Sequence, residues 1–159
     1  MSNKKLKGFT IIEVVLVLAI AGLIFLMVFI ALPALQRSQK DTQRKNDLSR
    51  IMTQLTNYES NNRGEFPDDL ISGDLSFVEN YLGGVDNVTS GGDYKDPKTG
   101  TGYVFKPDLD VSGVGQVGYK KGAICGTDGA ADETNASDRQ YMLIMKLEGQ
   151  NAPYCVDNR

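Results

Sequence analysis

Histidine and tryptophan are absent from these 159 residues, and cysteine occurs only twice. Without histidine the chain by itself has no imidazole for general base catalysis, no His-ligated zinc and no Ser-His-Asp constellation. It is therefore not expected to be an enzyme, and no cofactor is expected. Basic residues are outnumbered by acidic ones, 17 to 20. The net charge is −3, and it falls to −6 once residues 1–8, which hold Lys4, Lys5 and Lys7 but no acid, are set aside. Such a balance does not draw nucleic acid to the chain, so no specific nucleic-acid partner is expected.

What is present is unevenly spread. A hydrophobic content of 41% at this length supports one modest domain and an anchor, not two full cores. From Ile11 to Leu35 the chain is apolar apart from Glu13, Gly22 and Pro33. Val14 to Leu35 as an α-helix measures about 33 Å, against a bilayer hydrocarbon core of roughly 30 Å. The stretch can cross a membrane. A secretory signal cut near Leu32-Pro33-Ala34 is the competing reading; the run is longer than the usual ~7–15 residues of such a signal, and it carries the carboxylate of Glu13. Counting charges leaves the orientation open, because Lys4, Lys5 and Lys7 before the span face Arg37, Lys40, Arg44, Lys45 and Arg50 after it. Pro33 lacks a backbone donor, so a kink is expected near it.

Gln36 to Asp47 holds no apolar residue and reads as a helical spacer in solvent. Leu48, Ile51, Met52, Leu55 and Tyr58 then fall at spacings of three and four, an apolar stripe expected to close the core of a globular head. Asn61-Asn62-Arg63-Gly64 ends the helix, with Gly64 supplying the positive φ of a cap. A helix from Phe9 to Asn62 measures roughly 80 Å at the standard rise. Its first half needs lipid or neighbouring subunits. After Gly64 the chain turns rich in Gly, Asp, Pro and Ser. A short helix is expected at Asp74–Leu82, turns at Gly83-Gly84 and Gly91-Gly92, and strands at Tyr103–Lys106, Gln116–Lys120 and Gln140–Leu147. In the last, Tyr141, Leu143, Met145 and Leu147 make an apolar face and alternate with Met142, Ile144, Lys146 and Glu148. The fold class expected is α+β, a long helix packed by its second half on a small antiparallel sheet.

Lys7-Gly8-Phe9-Thr10-Ile11-Ile12-Glu13, followed by the apolar run, resembles the processing motif of type IV prepilins and type II secretion pseudopilins. The resemblance implies cleavage between Gly8 and Phe9 and methylation of the new Phe9 amine by a membrane-embedded prepilin peptidase/N-methyltransferase. Glycine suits that junction because its backbone enters a protease cleft without a side-chain clash. Gly22 matches a common family glycine, whereas many members have proline where this chain has Ile30; here it comes at Pro33. The resemblance also implies a helical filament of identical subunits, an assembly platform protein and ATPase, and contact with membrane lipid. The precursor would be single-pass in the cytoplasmic membrane, and the assembled pilus extracellular. The domain organisation expected is a leader at 1–8, a membrane or filament-core helix at 9–35, a helix extension at 36–62 and a head at 63–159. Glu65-Phe66-Pro67 and Asp96-Pro97-Lys98-Thr99-Gly100-Thr101-Gly102-Tyr103 resemble segments of type II secretion pseudopilins and some Gram-positive pilins, although the tryptophan of the second segment is missing.

Glu13 is an ionisable group at the edge of a membrane span and is a functional candidate on that ground. In related pilins the contact between such a glutamate and a neighbour's free amine sets the stagger of subunits; simple snorkelling to the headgroups is the alternative. Cys125 and Cys155 both lie beyond the span in an expected oxidising compartment, where a disulfide is the default and two free thiols the alternative. Closing a loop of that length restricts the unfolded chain by roughly 3–4 kcal/mol, and it resembles the disulfide-bounded C-terminal loop of type IV pilins. Asp128, Asp132, Glu133 and Asp138 lie within that loop. Asp128 and Asp132 are the calcium candidates by resemblance to pseudopilins, but the spacing is not that of an EF-hand and favours a solvated acidic loop. Lys120-Lys121 reads as solvated surface. The function expected is a filament subunit for adhesion, motility or DNA uptake. A secretion pseudopilin is the alternative, and a membrane-anchored binding protein that never polymerises is the alternative of another class.

Overall fold

A computed structural model describes residues 8–68, 70, 75–83, 94–106, 109–127 and 130–159. The chain divides into two compact units, Met1–Arg37 and Ser38–Arg159, and helix α1, Ile11–Asn61, contributes to both.

In the first unit the uninterrupted apolar run leaves α1 without a polar face. Its large side chains, from Ile11 to Leu35, are exposed, and none of the most apolar window is buried. Among the described residues this is the one helix long and apolar enough to cross a membrane. The helix is unbroken through Pro33, although that residue has no N–H to offer the preceding turn.

In the second unit the apolar stripe does what its spacing predicts. Leu48, Ile51, Leu55 and Tyr58 are buried, and Met52 packs beside them. The helix stops where Arg63 and Gly64 take φ of 61° and 86°, and the Gly64 N–H donates to the Glu59 carbonyl at 2.9 Å. Glycine tolerates that φ freely, so the stop is written locally. Helix α2, Leu75–Tyr81, sets Phe77 and Tyr81 edge-on against Tyr58 with centroids 5.6 and 5.5 Å away. Of the expected turn glycines only Gly83 (φ 69°) is described; Gly84, Gly91 and Gly92, like Asp74 at the start of the expected helix, lie outside the described residues.

Among the described residues six strands follow: β1 Val104–Lys106, β2 Gln116–Lys121, β3 Ile124–Cys125, β4 Ala131–Asp132, β5 Tyr141–Met145 and β6 Tyr154–Asp157. The main sheet has the order β1-β2-β5-β6, and β3 with β4 forms a separate antiparallel pair. The fold is α+β, but the sheet is mixed where an antiparallel one is expected: β1 runs parallel to β2, Val104 opposite Gln116. A parallel return ordinarily needs a dozen or more residues, but a strand of three residues is only about 10 Å long and needs less. The connection turns back at Gly115, whose φ of 82° needs glycine and whose carbonyl accepts the Val104 N–H at 3.0 Å. Strand β5 is buried on both faces. Tyr141, Leu143 and Met145 join the main core beneath α1, while Met142 and Ile144 pack with Val111 and Ala123 in a smaller cluster bordered by Cys125 and Cys155.

Candidate functional site

Gly8 and Phe9 precede α1 and are exposed, Phe9 by 89%. A Cβ placed on Gly8 would meet nothing within 4 Å, so the fold of this chain makes no demand for glycine there. Thr10 caps the helix. The Thr10 N–H and hydroxyl donate to Glu13 Oε2 at 3.0 and 2.9 Å, and the Glu13 N–H returns to Thr10 Oγ1 at 3.4 Å. This is the reciprocal capping box of a Thr-x-x-Glu sequence. The pattern Thr10-Ile11-Ile12-Glu13 just ahead of an apolar run was its sequence signal. In the single chain Glu13 thus already has a local task, to satisfy two donors at the start of its own helix.

Cys125 and Cys155 are joined in a disulfide with Cα atoms 5.9 Å apart, tying β3 to β6. The same junction carries polar bonds. The Cys125 N–H donates to Asp157 Oδ2 at 2.8 Å, and Arg159 donates to the Cys125 carbonyl at 2.9 Å and pairs with Asp157 at 3.0 Å. Since β3 and β4 are only two residues each, the hairpin they form depends on this bond more than the main sheet does. Replacing both cysteines by serine is expected to cost about 2–5 kcal/mol of stability. Urea unfolding of the full chain in detergent would measure it, and thiols that alkylate readily in the native protein would contradict the bond.

Of the calcium candidates, Asp128 lies outside the described residues. Asp132 turns its oxygens onto its own loop: Oδ1 accepts from the Thr134 hydroxyl at 2.7 Å and the Thr134 N–H at 3.0 Å, and Oδ2 from the Asn135 amide at 2.8 Å. The Asn135 and Thr134 side chains, ahead of the backbone donors, hold its pKa down to about 2. Among the described residues no three potential ligands come together. Lys120 pairs with Glu133, and Lys121 with Asp68 at 2.8 Å and Glu65 at 3.7 Å. The segment Glu65-Phe66-Pro67 has a packing role: Phe66 lies against Tyr141 with centroids 4.6 Å apart, and the Pro67 carbonyl accepts from Tyr119 Oη at 2.6 Å.

The polar stretch Gln36–Asp47 departs from the solvated spacer that its composition predicts. Arg44 is completely buried, and Asp41 and Asp47 nearly so. Arg44 Nε and Nη2 grip Asp96 side-on at 2.6 and 3.1 Å; Nη1 donates to Asp41 at 2.8 Å and Nη2 to Glu148 at 3.3 Å. Asp41 also accepts the backbone N–H groups of Glu148 and Gly149 at 3.0 and 2.8 Å, and Asp96 those of Lys98 and Thr99 at 2.9 and 3.1 Å. Asp47 accepts from Tyr103 Oη at 2.8 Å. One guanidinium therefore binds α1 to the loop before β1 and to the segment after β5. Burial by itself would push both carboxyls up. For Asp41 the donors at Glu148, Gly149 and Arg44 outweigh it, and for Asp96 Arg44 and the donors at Lys98 and Thr99 do so, leaving each below the ordinary carboxylate range. The guanidinium's own pKa is raised, burial again being outweighed by its bonds to Asp96, Asp41 and Glu148, so it stays charged. The Asp96-to-Tyr103 segment, singled out by resemblance, supplies four of these groups: the Asp96 carboxylate, the N–H groups of Lys98 and Thr99, and the Tyr103 hydroxyl.

Residues 3–29 match the family model of the prokaryotic N-terminal methylation motif. That motif is the prepilin signature of type IV pilins and pseudopilins; it implies processing by a prepilin peptidase and assembly into pilus-type filaments. Comparison with curated proteins and with solved structures found no match. The motif and the exposed apolar stretch of α1 fit a pilin-like or pseudopilin precursor anchored in a membrane, and a long helix followed by a small mixed sheet is a pilin-like α+β arrangement.

Proposed function

We propose that this chain is a subunit of a type IV pilus-like filament, cut between Gly8 and Phe9, methylated on the Phe9 amine and polymerised through α1. The observation that carries the reading is the methylation motif in register with the apolar stretch of α1 from Ile11 to Leu35, whose large side chains are all exposed. An apolar surface that size needs lipid before assembly and neighbouring copies after it. Residues 1–8 are then a leader, 9–35 the membrane and filament-core segment, 36–62 the helix extension, and 63–159 the head that faces the exterior. Self, the peptidase, the assembly platform with its ATPase, and lipid are the partners this role requires. Glu13, freed from the interface by assembly, meets the Phe9 ammonium of a neighbour.

Intact mass spectrometry of the native protein is expected to show a chain beginning at N-methylated Phe9. Replacing Gly8 by leucine should leave only precursor, since a side chain there meets nothing in this fold and can obstruct only the peptidase. A mature protein starting at Met1 or Ser2 would overturn the processing and favour an anchored protein that does not polymerise, and one starting at Leu35 would overturn it in favour of a cleaved secretory signal. Gold-labelled electron microscopy separates long surface filaments from a short secretion pseudopilus.

A further inference from the structure

Glu133-Thr134-Asn135-Ala136-Ser137 lies in the loop between β4 and β5, and Asn135-x-Ser137 with alanine at the centre is the acceptor pattern for N-linked glycan. Three observations lift it above a chance tripeptide. The acceptor asparagine, the hydroxyl residue two positions on and Glu133 two positions before are all exposed. The segment belongs to no strand or helix, and its bonds lie at the surface: Glu133 pairs with Lys120, the Thr134 N–H and hydroxyl and the Asn135 N–H donate to Asp132, Asn135 Nδ2 donates to Asp132 at 2.8 Å and to Thr134 Oγ1 at 3.4 Å, and the Ser137 N–H donates to Gln140 at 2.7 Å while the Gln140 N–H returns to the Ser137 carbonyl at 2.9 Å. Local opening of such a loop disturbs neither apolar cluster. Glu133, 58% exposed at its side chain, also gives the segment a charge by which an enzyme can select it over the bare tripeptide. A second tripeptide, Asn87-Val88-Thr89, lies outside the described residues.

We infer that Asn135 is a glycosylation site, modified on the outer side of the membrane by transfer from a polyprenyl-pyrophosphate-linked glycan. The Asn135 amide nitrogen attacks C1 of the sugar, the bond from C1 to the pyrophosphate oxygen breaks, and polyprenyl pyrophosphate leaves with the electron pair. The amide proton passes to a base of the transferase, and the Ser137 hydroxyl is the recognition element that positions the acceptor. The glycan would stand on the disulfide-bounded part of the head, bulky and solubilising as such modifications are. The inference rests on export of the head, part of the function proposed above.

Tryptic peptides of the full chain from its native cells decide it. After reduction of the Cys125–Cys155 disulfide and alkylation, cleavage after Lys121 and Arg139 isolates residues 122–139, apart from the Asn87 peptide. That peptide is expected to be heavier by a glycan, with sugar fragment ions and the added mass localised on Asn135. The added mass should vanish in Asn135→Gln and Ser137→Ala and persist in Ser137→Thr, surface changes that leave the core alone. An unmodified peptide from a chain that begins at Phe9 overturns the site and leaves the filament reading standing. An unmodified peptide from a chain that begins at Met1 overturns both. A glycan that survives Ser137→Ala also overturns the site as argued.

Discussion

Replacing Arg44 by alanine is expected to cost the head about 3–5 kcal/mol, the usual loss when one partner of a buried ion pair is removed. Three carboxylates, Asp41, Asp96 and Glu148, converge on the guanidinium. Without it they face one another in a site that water barely reaches. With a domain stability of roughly 5–15 kcal/mol, that loss takes away a large share. Lysine should rescue only part, because an ammonium is a point charge and cannot make the two parallel bonds to Asp96 while also reaching Asp41 and Glu148. Urea unfolding of the full chain in detergent is the measurement, and equal midpoints for the parent, Arg44→Lys and Arg44→Ala proteins would dismiss the cluster as a stabilising element. Acid gives a second test. Asp41 and Asp96 have folded pKa values below their unfolded ones, so their contribution is complete above the unfolded value of about 4 and disappears as pH falls through the folded values. Stability should therefore drop below about pH 4. Asp96→Asn should begin lower and show a shallower acid limb.

Replacing Glu13 by glutamine is expected to leave insertion and cleavage intact while surface filaments become scarce. The proposed contact with a neighbour's Phe9 ammonium is a charge-assisted bond, worth about 1.5–3 kcal/mol. Losing it lowers subunit association roughly 10–100-fold, at tenfold for each 1.4 kcal/mol. The capping box decides which variant is informative. Glutamine still offers an oxygen to the Thr10 N–H and hydroxyl that Glu13 accepts in this fold, whereas valine removes both cap and charge. Loss of filaments in Glu13→Gln as well as Glu13→Val, counted by electron microscopy beside processed subunit in the membrane, is the expected result. Loss in Glu13→Val alone would assign the residue to its own helix end and discard the contact between subunits.

What could be read directly from the chain is what depends on neighbours in sequence. The apolar run to Leu35, the stripe from Leu48 to Tyr58 and the stop at Gly64 each follow from periodicity or from one residue's backbone freedom, so α1 ends where expected. Strands β2 and β5 are long enough to carry a period, and they lie close to the expected Gln116–Lys120 and Gln140–Leu147. The capping box was legible too, because Thr10 and Glu13 are three residues apart.

Strands β3 and β4 have two residues each and no period to detect, and β6 has four half-buried residues of which only Tyr154 and Val156 alternate onto the main core, too few to mark a strand. They exist because a disulfide and the flank of β5 hold them. The parallel setting of β1 on β2 depends on how short β1 is and on a reversal at Gly115. The clearest case is Arg44. An aspartate three residues earlier pairs with it, Asp41, but Arg50 has Asp47 at the same spacing and is exposed, so the local sequence does not mark Arg44 for burial. Its burial is set by Asp96 and Glu148, 52 and 104 residues away in sequence. A charge enters a protein interior only when partners meet it there, and those partners are assembled by the tertiary fold alone.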